Sequence, residues 1–264
     1  GERRAGGFAM RVVLLGAGVV LISQAGVSGM PATAFLWGCG GLLLILAFLV
    51  LDERNGDGGR MLPAGAWDWR RRSGQVVSLV LFLSAATTGL ITYGPLLMAR
   101  IHGMSAFETG LVLLLESVGW SVVAIVAAGV ADRHERAMIA SGFAIAMSGV
   151  ALQAVVMANG PVAAIVAGAL MMGGGFGMAF VFMIRRATRL VDAADRERIA
   201  SAIPATQRLG YALGAAFTGI VANASGFGEA ASVEATRDTA QAIFTMALLP
   251  AAIGLSALSL FVPR

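Results

Sequence analysis

The sequence has no lysine, one cysteine and little charge: of 264 residues, only 13% are charged. A soluble domain carries about 25% charged residues, so the shortage excludes a water-soluble globule. Cys39 alone can build neither a disulfide framework nor a cysteine-based metal site. Catalytic signatures are missing as well: there is no H-E-x-x-H, no P-loop and no G-x-S-x-G. Their lack argues against an enzyme, and neither a cofactor nor a metal is expected. What the chain has in abundance is apolar residues, at 58%, with a mean hydropathy of +0.81. That content excludes disorder, because disordered chains are poor in aliphatics and rich in charge. Thirty-five glycines without a G-x-y period exclude collagen. An all-α, polytopic membrane helix bundle remains.

A bilayer core about 30 Å thick needs roughly 20 apolar helical residues. Eight such runs are present: Phe8–Ala25, Pro31–Leu51, Val76–Ala99, Glu108–Ala131, Ala137–Ala158, Pro161–Ile184, Ala202–Asn223 and Thr239–Val262. The first is the weakest, because Arg11 sits near its start. Turn residues fill the gaps, as in Ser28-Gly29-Met30-Pro31 and Asn159-Gly160-Pro161, and Pro161 suits a first helical turn. The polar gap from Asp52 to Gly74 holds Trp67 and Trp69, expected at headgroup level. It divides a two-helix hairpin (residues 1–51) and a linker (52–74) from a six-helix bundle (75–264).

The 19 basic residues, all arginine, orient the chain. Sixteen fall on one side of the expected membrane, including Arg70-Arg71-Arg72, Arg133, Arg136, Arg185, Arg186 and Arg189. Arg100 and Arg237 lie opposite, and Arg208 is inside the seventh run. The arginine-rich side, with both termini, is therefore expected in the cytoplasm of a bacterial plasma (inner) membrane. The net charge of +4 is spread between apolar runs and implies no nucleic acid. His102 and His134 fall on opposite faces and cannot share a metal.

Tyr93-Gly94-Pro95-Leu96-Leu97, Gly103-Met104-Ser105-Ala106 and Gly110-Leu111 resemble the first helix, outer loop and second helix in the C-terminal half of a major facilitator superfamily transporter. Ala128-Gly129-Val130-Ala131-Asp132-Arg133-His134-Glu135-Arg136 resembles the loop G-x-L-A-D-R-x-G-R, with the first glycine displaced by one and Glu135 in place of the second. Arg196-Glu197-Arg198, Ser201 and Gln207-Arg208-Leu209-Gly210 resemble multidrug:proton antiporters, particularly the fourteen-helix branch, in which an extra hairpin precedes the last six helices. A twelve-helix parent fits nearly as well. The resemblance implies alternating access, with a substrate path between two halves. The chain starts at Gly1 and has no preceding six-helix run, so it is expected to be a fragment needing the missing N-terminal half.

Glu116 is the sharpest chemical signal. It lies about 12 Å along its run, within roughly 5 Å of the midplane. An ionised carboxylate there is costly, so such acids face a bundle interior and often relay protons; a structural hydrogen bond to a neighbouring helix is the alternative. Trp120, four residues on, shares its face. Gln207, Tyr211, Gly214 and Thr218 form a polar stripe that lipid cannot satisfy, and Gly210-x-x-x-Gly214 permits close helix approach. Thr88, Thr92 and Pro95 share a face beside Tyr93. Met171 to Met178, with Phe176 among four glycines, can either fit varied apolar ligands or fill the core. The expected cavity residues are thus Thr88, Tyr93, Trp120, Phe176, Gln207 and Tyr211, with Glu116 as proton carrier. Asp132, Arg133, Arg136 and Arg208 are expected to form a cytoplasmic gate, with Arg208 either pairing with Asp132 or snorkelling to the interface. With protons, bilayer and a small-molecule substrate as partners, the expected function is proton-coupled efflux of small lipophilic or cationic compounds. A facilitator or uptake carrier for an organic solute, and a non-transporting membrane scaffold, stay open.

Overall fold

The computed structural model describes residues 2–55, 59–228 and 231–261, and among them the chain forms eight α-helices and no strand. These are α1 (Glu2–Val27), α2 (Pro31–Arg54), α3 (Arg72–His102), α4 (Ala106–Ala128), α5 (Glu135–Asn159), α6 (Val162–Leu190), α7 (Arg196–Ala224) and α8 (Val233–Phe261). Seven are long and apolar enough to cross a membrane. The eighth, α7, is as long, but Arg196, Glu197, Arg198, Gln207 and Arg208 dilute its apolar content. The protein is an integral membrane helix bundle.

The helix ends follow local chemistry. Pro31 occupies the first turn of α2, where its missing N–H would be unbonded anyway. Pro161 sits one place earlier than expected: with ψ 148° it is the N-cap of α6, and Val162 begins the helix. Gly103, at φ 65°, ends α3 in the left-handed conformation that side chains resist. Three residues later α4 starts on a capping box: the Ser105 N–H donates to the Glu108 carboxylate at 2.7 Å, and the Ser105 hydroxyl accepts from the Glu108 N–H at 3.3 Å. Most helices outrun the apolar runs, with α3 beginning at Arg72 and α6 continuing to Leu190, whereas α4 stops at Ala128, short of the expected Ala131, at the Gly129 cap.

In the bundle, α6 lies between α4 and α5, α3 packs on α7 and α8, and α5 also meets α8. Glycines set these distances. A Cβ added at Gly173 or Gly177 would run into the carbonyl of Glu116 or Trp120 on α4, and one at Gly142 would lie 2.6 Å from the Ala179 nitrogen of α6. The glycines of 171–178 thus serve close backbone approach, and Met172 is core rather than adaptable surface. Gly210 and Gly214 likewise admit α3, where an added Cβ would stand 2.6 Å from the carbonyls of Leu81 and Ala85. Two apolar clusters result: one around Leu79, Leu83, Phe143 and Phe182 toward the arginine-rich end, the other around Leu90, Met157, Ile165 and Phe244.

The hairpin α1–α2 packs through α1 on α7. A Cβ at Gly26 would lie 2.8 Å from the Cα of Ala216, and Gly219 faces the Gly26 carbonyl. Asn223 Nδ2 donates to the carbonyls of Gly26 and Ser28 at 3.2 and 3.1 Å. At the other end, Arg11 answers the doubt over the first span. Its guanidinium pairs with Asp52 of α2 and donates to the Gly59 carbonyl at 2.8 Å. Asp52 also accepts from the N–H groups of Met61 and Leu62, each at 2.9 Å. Both charges are buried. The linker then crosses to the start of α7, where the Ala64 N–H donates to Asp195 Oδ2 at 3.3 Å. Trp67 turns inward onto the first core cluster.

Candidate functional site

Where the two core clusters meet, a cavity of about 180 Å³ opens between α3, α4, α6 and α7. Its walls are Thr87 and Ile91 of α3, Glu116, Ser117 and Trp120 of α4, Met172, Gly173 and Phe176 of α6, and Tyr211 of α7. The glycines of α6 position the acid. Because Gly173 and Gly177 let α4 lie backbone-close at Glu116 and Trp120, both side chains are carried to the cavity edge. Glu116 is 9% exposed and Trp120 40%, so the carboxyl is sheltered while the indole stands at the mouth.

Of the expected cavity residues, the structure brings Trp120, Phe176 and Tyr211 together around Glu116. Gln207 joins as support: its Nε2 lies 3.3 Å from the Tyr211 hydroxyl, one turn away on α7. The Phe176 and Tyr211 rings face each other at 6.3 Å, tilted by 30°, and Phe180 extends the aromatic row. Thr88 and Tyr93 stand elsewhere. The Thr88 hydroxyl donates to the Ser84 carbonyl at 2.7 Å and the residue packs against Gly214 of α7. The cavity position on that helix is Thr87, one residue earlier, because the glycines of α7 draw the Thr88 face into the α3–α7 contact. Tyr93 makes an edge-to-face contact with Phe227 in the α7–α8 turn, beyond the cavity. Ile91, absent from the sequence reading, lines the cavity, and its carbonyl is the one Pro95 cannot bond for want of an N–H. The α7 stripe divides: Tyr211 reaches the cavity with Gln207 bonded behind it, whereas the Thr218 hydroxyl bonds its own helix at the Gly214 carbonyl.

The loop after α4 forms a second cluster at the arginine-rich end. Asp132 accepts from Arg185 at 3.1 Å and Arg189 at 2.8 Å, both from α6. Glu135, which stands where the resembled loop has glycine, bonds Arg186 at 2.6 Å and also Arg189. Arg185 further caps the end of α4, donating to the carbonyls of Ala128 and Val130 at 3.0 and 3.2 Å. The arginines that hold the loop are therefore those of α6. Arg208 is exposed on α7, and Asp132 takes its bonds from Arg185 and Arg189. Arg133 turns to His134, with Nε and Nε2 2.9 Å apart, and Arg136 is exposed at the start of α5. A helix-periodic reading of α6 would have found Arg185, Arg186 and Arg189 as a basic final turn, but not which acids they meet.

Residues 2–215 and 76–264 match the family model described as Major Facilitator Superfamily, so that the two matches together span almost the whole chain. No curated protein matches the sequence.

Proposed function

Because this chain belongs to the major facilitator superfamily, a family of membrane transporters, we propose that it forms the C-terminal part of a proton-coupled exporter of small lipophilic or cationic compounds. The observation that carries the reading is Glu116, a buried carboxyl at mid-helix facing a small cavity walled by Trp120, Phe176 and Tyr211. A carboxylate in hydrocarbon is costly unless it is paired or protonated. Alternating exposure of the cavity to the two sides gives that carboxyl two environments, and a proton taken up in one is released in the other. The aromatic faces suit an apolar body and attract a cationic group. In this reading residues 1–51 are an accessory hairpin, 52–74 a linker and 75–264 the six-helix half. The remaining half is a separate six-helix bundle facing the cavity mouth at Trp120. The arginine-rich end lies in the cytoplasm of a bacterial inner membrane. Asp132 and Glu135, held by Arg185, Arg186 and Arg189, serve as the latch on that side, with Arg133, Arg136 and Arg208 as a basic rim.

The test replaces Glu116 by Gln in the full-length transporter and measures dye efflux from inverted vesicles across a pH series. Loss of gradient-driven export with insertion intact is the expected result. Gradient dependence equal to the parent would return Glu116 to a structural role.

A further inference from the structure

A second recess lies at the arginine-rich end, outside the bundle and away from the cavity. It is a cleft of about 390 Å³ between the last turns of α2 and the linker, lined by Leu49, Val50 and Glu53 on one side and Gly65, Trp67, Asp68 and Arg71 on the other. The linker side is a built turn. Ala66 is buried in the core, the Asp68 N–H donates to the Gly65 carbonyl at 3.0 Å, and the Arg71 N–H donates to the Asp68 carbonyl at 2.8 Å. Asp68 Oδ1 accepts from the Arg70 N–H at 2.9 Å. Gly65, at φ 65°, lies under the Arg71 side chain, which any Cβ there would strike. Arg71 Nε stays 3.8 Å from Asp68 Oδ2, a loose pairing that leaves hydrogen-bonding capacity on both partners.

The position gives the cleft its meaning. Glu53 lies in the last turn of a helix long and apolar enough to span a membrane, and before it Val50, Leu46 and Leu43 form an exposed apolar strip three to four residues apart, toward the middle of that helix. Trp67 forms the inner wall of the cleft, packed against the first core cluster. A ligand filling this space has a charged head at the level of Glu53, Asp68 and Arg71, and a hydrocarbon tail along the α2 strip. Two carboxylates and one guanidinium make the lining an acceptor for an ammonium and a phosphate together, with acid in excess. Arg60, mostly buried 3.5 Å from Glu53, brings the group to neutrality.

We propose that the cleft between α2 and the linker is a binding site for a zwitterionic, amine-bearing phospholipid of the phosphatidylethanolamine type. The primary ammonium donates to Glu53 and Asp68, the phosphate accepts from Arg71, and one acyl chain follows Val50, Leu46 and Leu43. The chemistry sets an order of preference. A choline head carries the same charge but has no N–H to donate, and a glycerol head brings no ammonium to the two carboxylates while adding a net negative charge to a neutral group. Ethanolamine therefore binds best and phosphatidylglycerol worst.

The experiment uses the whole chain in mixed micelles with Trp37, Trp69 and Trp120 changed to Phe, so that Trp67 is the sole fluorophore. Phosphatidylethanolamine, phosphatidylcholine and phosphatidylglycerol of identical chains are titrated separately. Affinity for the ethanolamine lipid should exceed that for the choline lipid about fivefold, the factor that roughly 1 kcal/mol of exposed ion pairing supplies. The double substitution Glu53→Gln with Asp68→Asn keeps the turn's acceptor oxygens and should abolish the preference. Arg71→Gln should weaken both zwitterionic lipids alike. Equal affinity for the three lipids, a preference for phosphatidylglycerol, or an ethanolamine preference that survives the double substitution would each overturn the assignment.

Discussion

Breaking the ion pair at the base of the hairpin gives a quantitative test of how this fold is held. Arg11 and Asp52 are 4% and 2% exposed. Asp52 accepts from Arg11 and from two linker N–H groups, while Arg11 also donates to the carbonyls of Gly7 and Gly59. Removing one member of a buried pair costs about 3–5 kcal/mol, because the other charge stays buried without its counterpart, whereas replacing both is often close to neutral. Arg11→Met should fall at the lower end, since Asp52 keeps the Met61 and Leu62 N–H donors. Asp52→Asn should fall nearer the upper end, because a guanidinium is then buried with only neutral acceptors. The double substitution should cost less than the two single ones together by at least about 2–3 kcal/mol, the upper part of the range measured for residues in contact. Unfolding in dodecyl sulfate mixed micelles, followed by near-ultraviolet circular dichroism, measures all three. Effects that simply add to within about 0.5 kcal/mol would refute the reasoning, since that is how independent sites behave.

The two acids of the loop after α4 should respond unequally: Glu135→Gln, at a buried pair with Arg186, should destabilise by about 3–5 kcal/mol, and Asp132→Asn, at an exposed one, by at most about 1 kcal/mol in the same unfolding assay. Gly173→Leu should separate α4 from α6 and expose Glu116, read as faster labelling of a cysteine at Ser117 in a Cys39→Ser background, while Gly110→Leu, where an added Cβ meets nothing, should leave that labelling unchanged. Cysteines at Asp192 and Ser232, both exposed and at opposite ends of the bundle, should label from opposite sides of the membrane with an impermeant reagent. Labelling of both from one side would contradict the alternating path of the helices.

The helices were legible because the solvent of a membrane protein imposes one rule, that about 20 apolar residues in succession form a span, and breakers such as Gly103 and Pro161 lie where the spans stop. Their ends were less so, since α3 begins at Arg72 and α6 runs on to Leu190, outside the apolar runs. Glu116, Trp120, Phe176 and Tyr211 line one cavity, a juxtaposition legible in outline because polar groups in an apolar span must face one another or a cavity. Thr88 and Tyr93 lie outside this cavity because their partners are residues distant in sequence: Thr88 packs against Gly214 of α7 and Tyr93 against Phe227. The pairing of Arg11 with Asp52, and of the α6 arginines with Asp132 and Glu135, joins residues far apart in sequence, and charge alone names the candidates without choosing between them.

The contact of the hairpin with α7 has a mechanical consequence. Asn223 and Gly219 fasten one end of α1 to α7, and the linker fastens the other through Ala64 and Asp195. Any tilt of α7, and with it Tyr211, must carry three helices as one lever. The outboard pair is mostly uncovered by protein, so its sweep displaces lipid rather than side chains. The drag on that stroke comes from the viscosity and lateral pressure of the surrounding bilayer, which makes membrane fluidity a determinant of how fast the cavity wall can move.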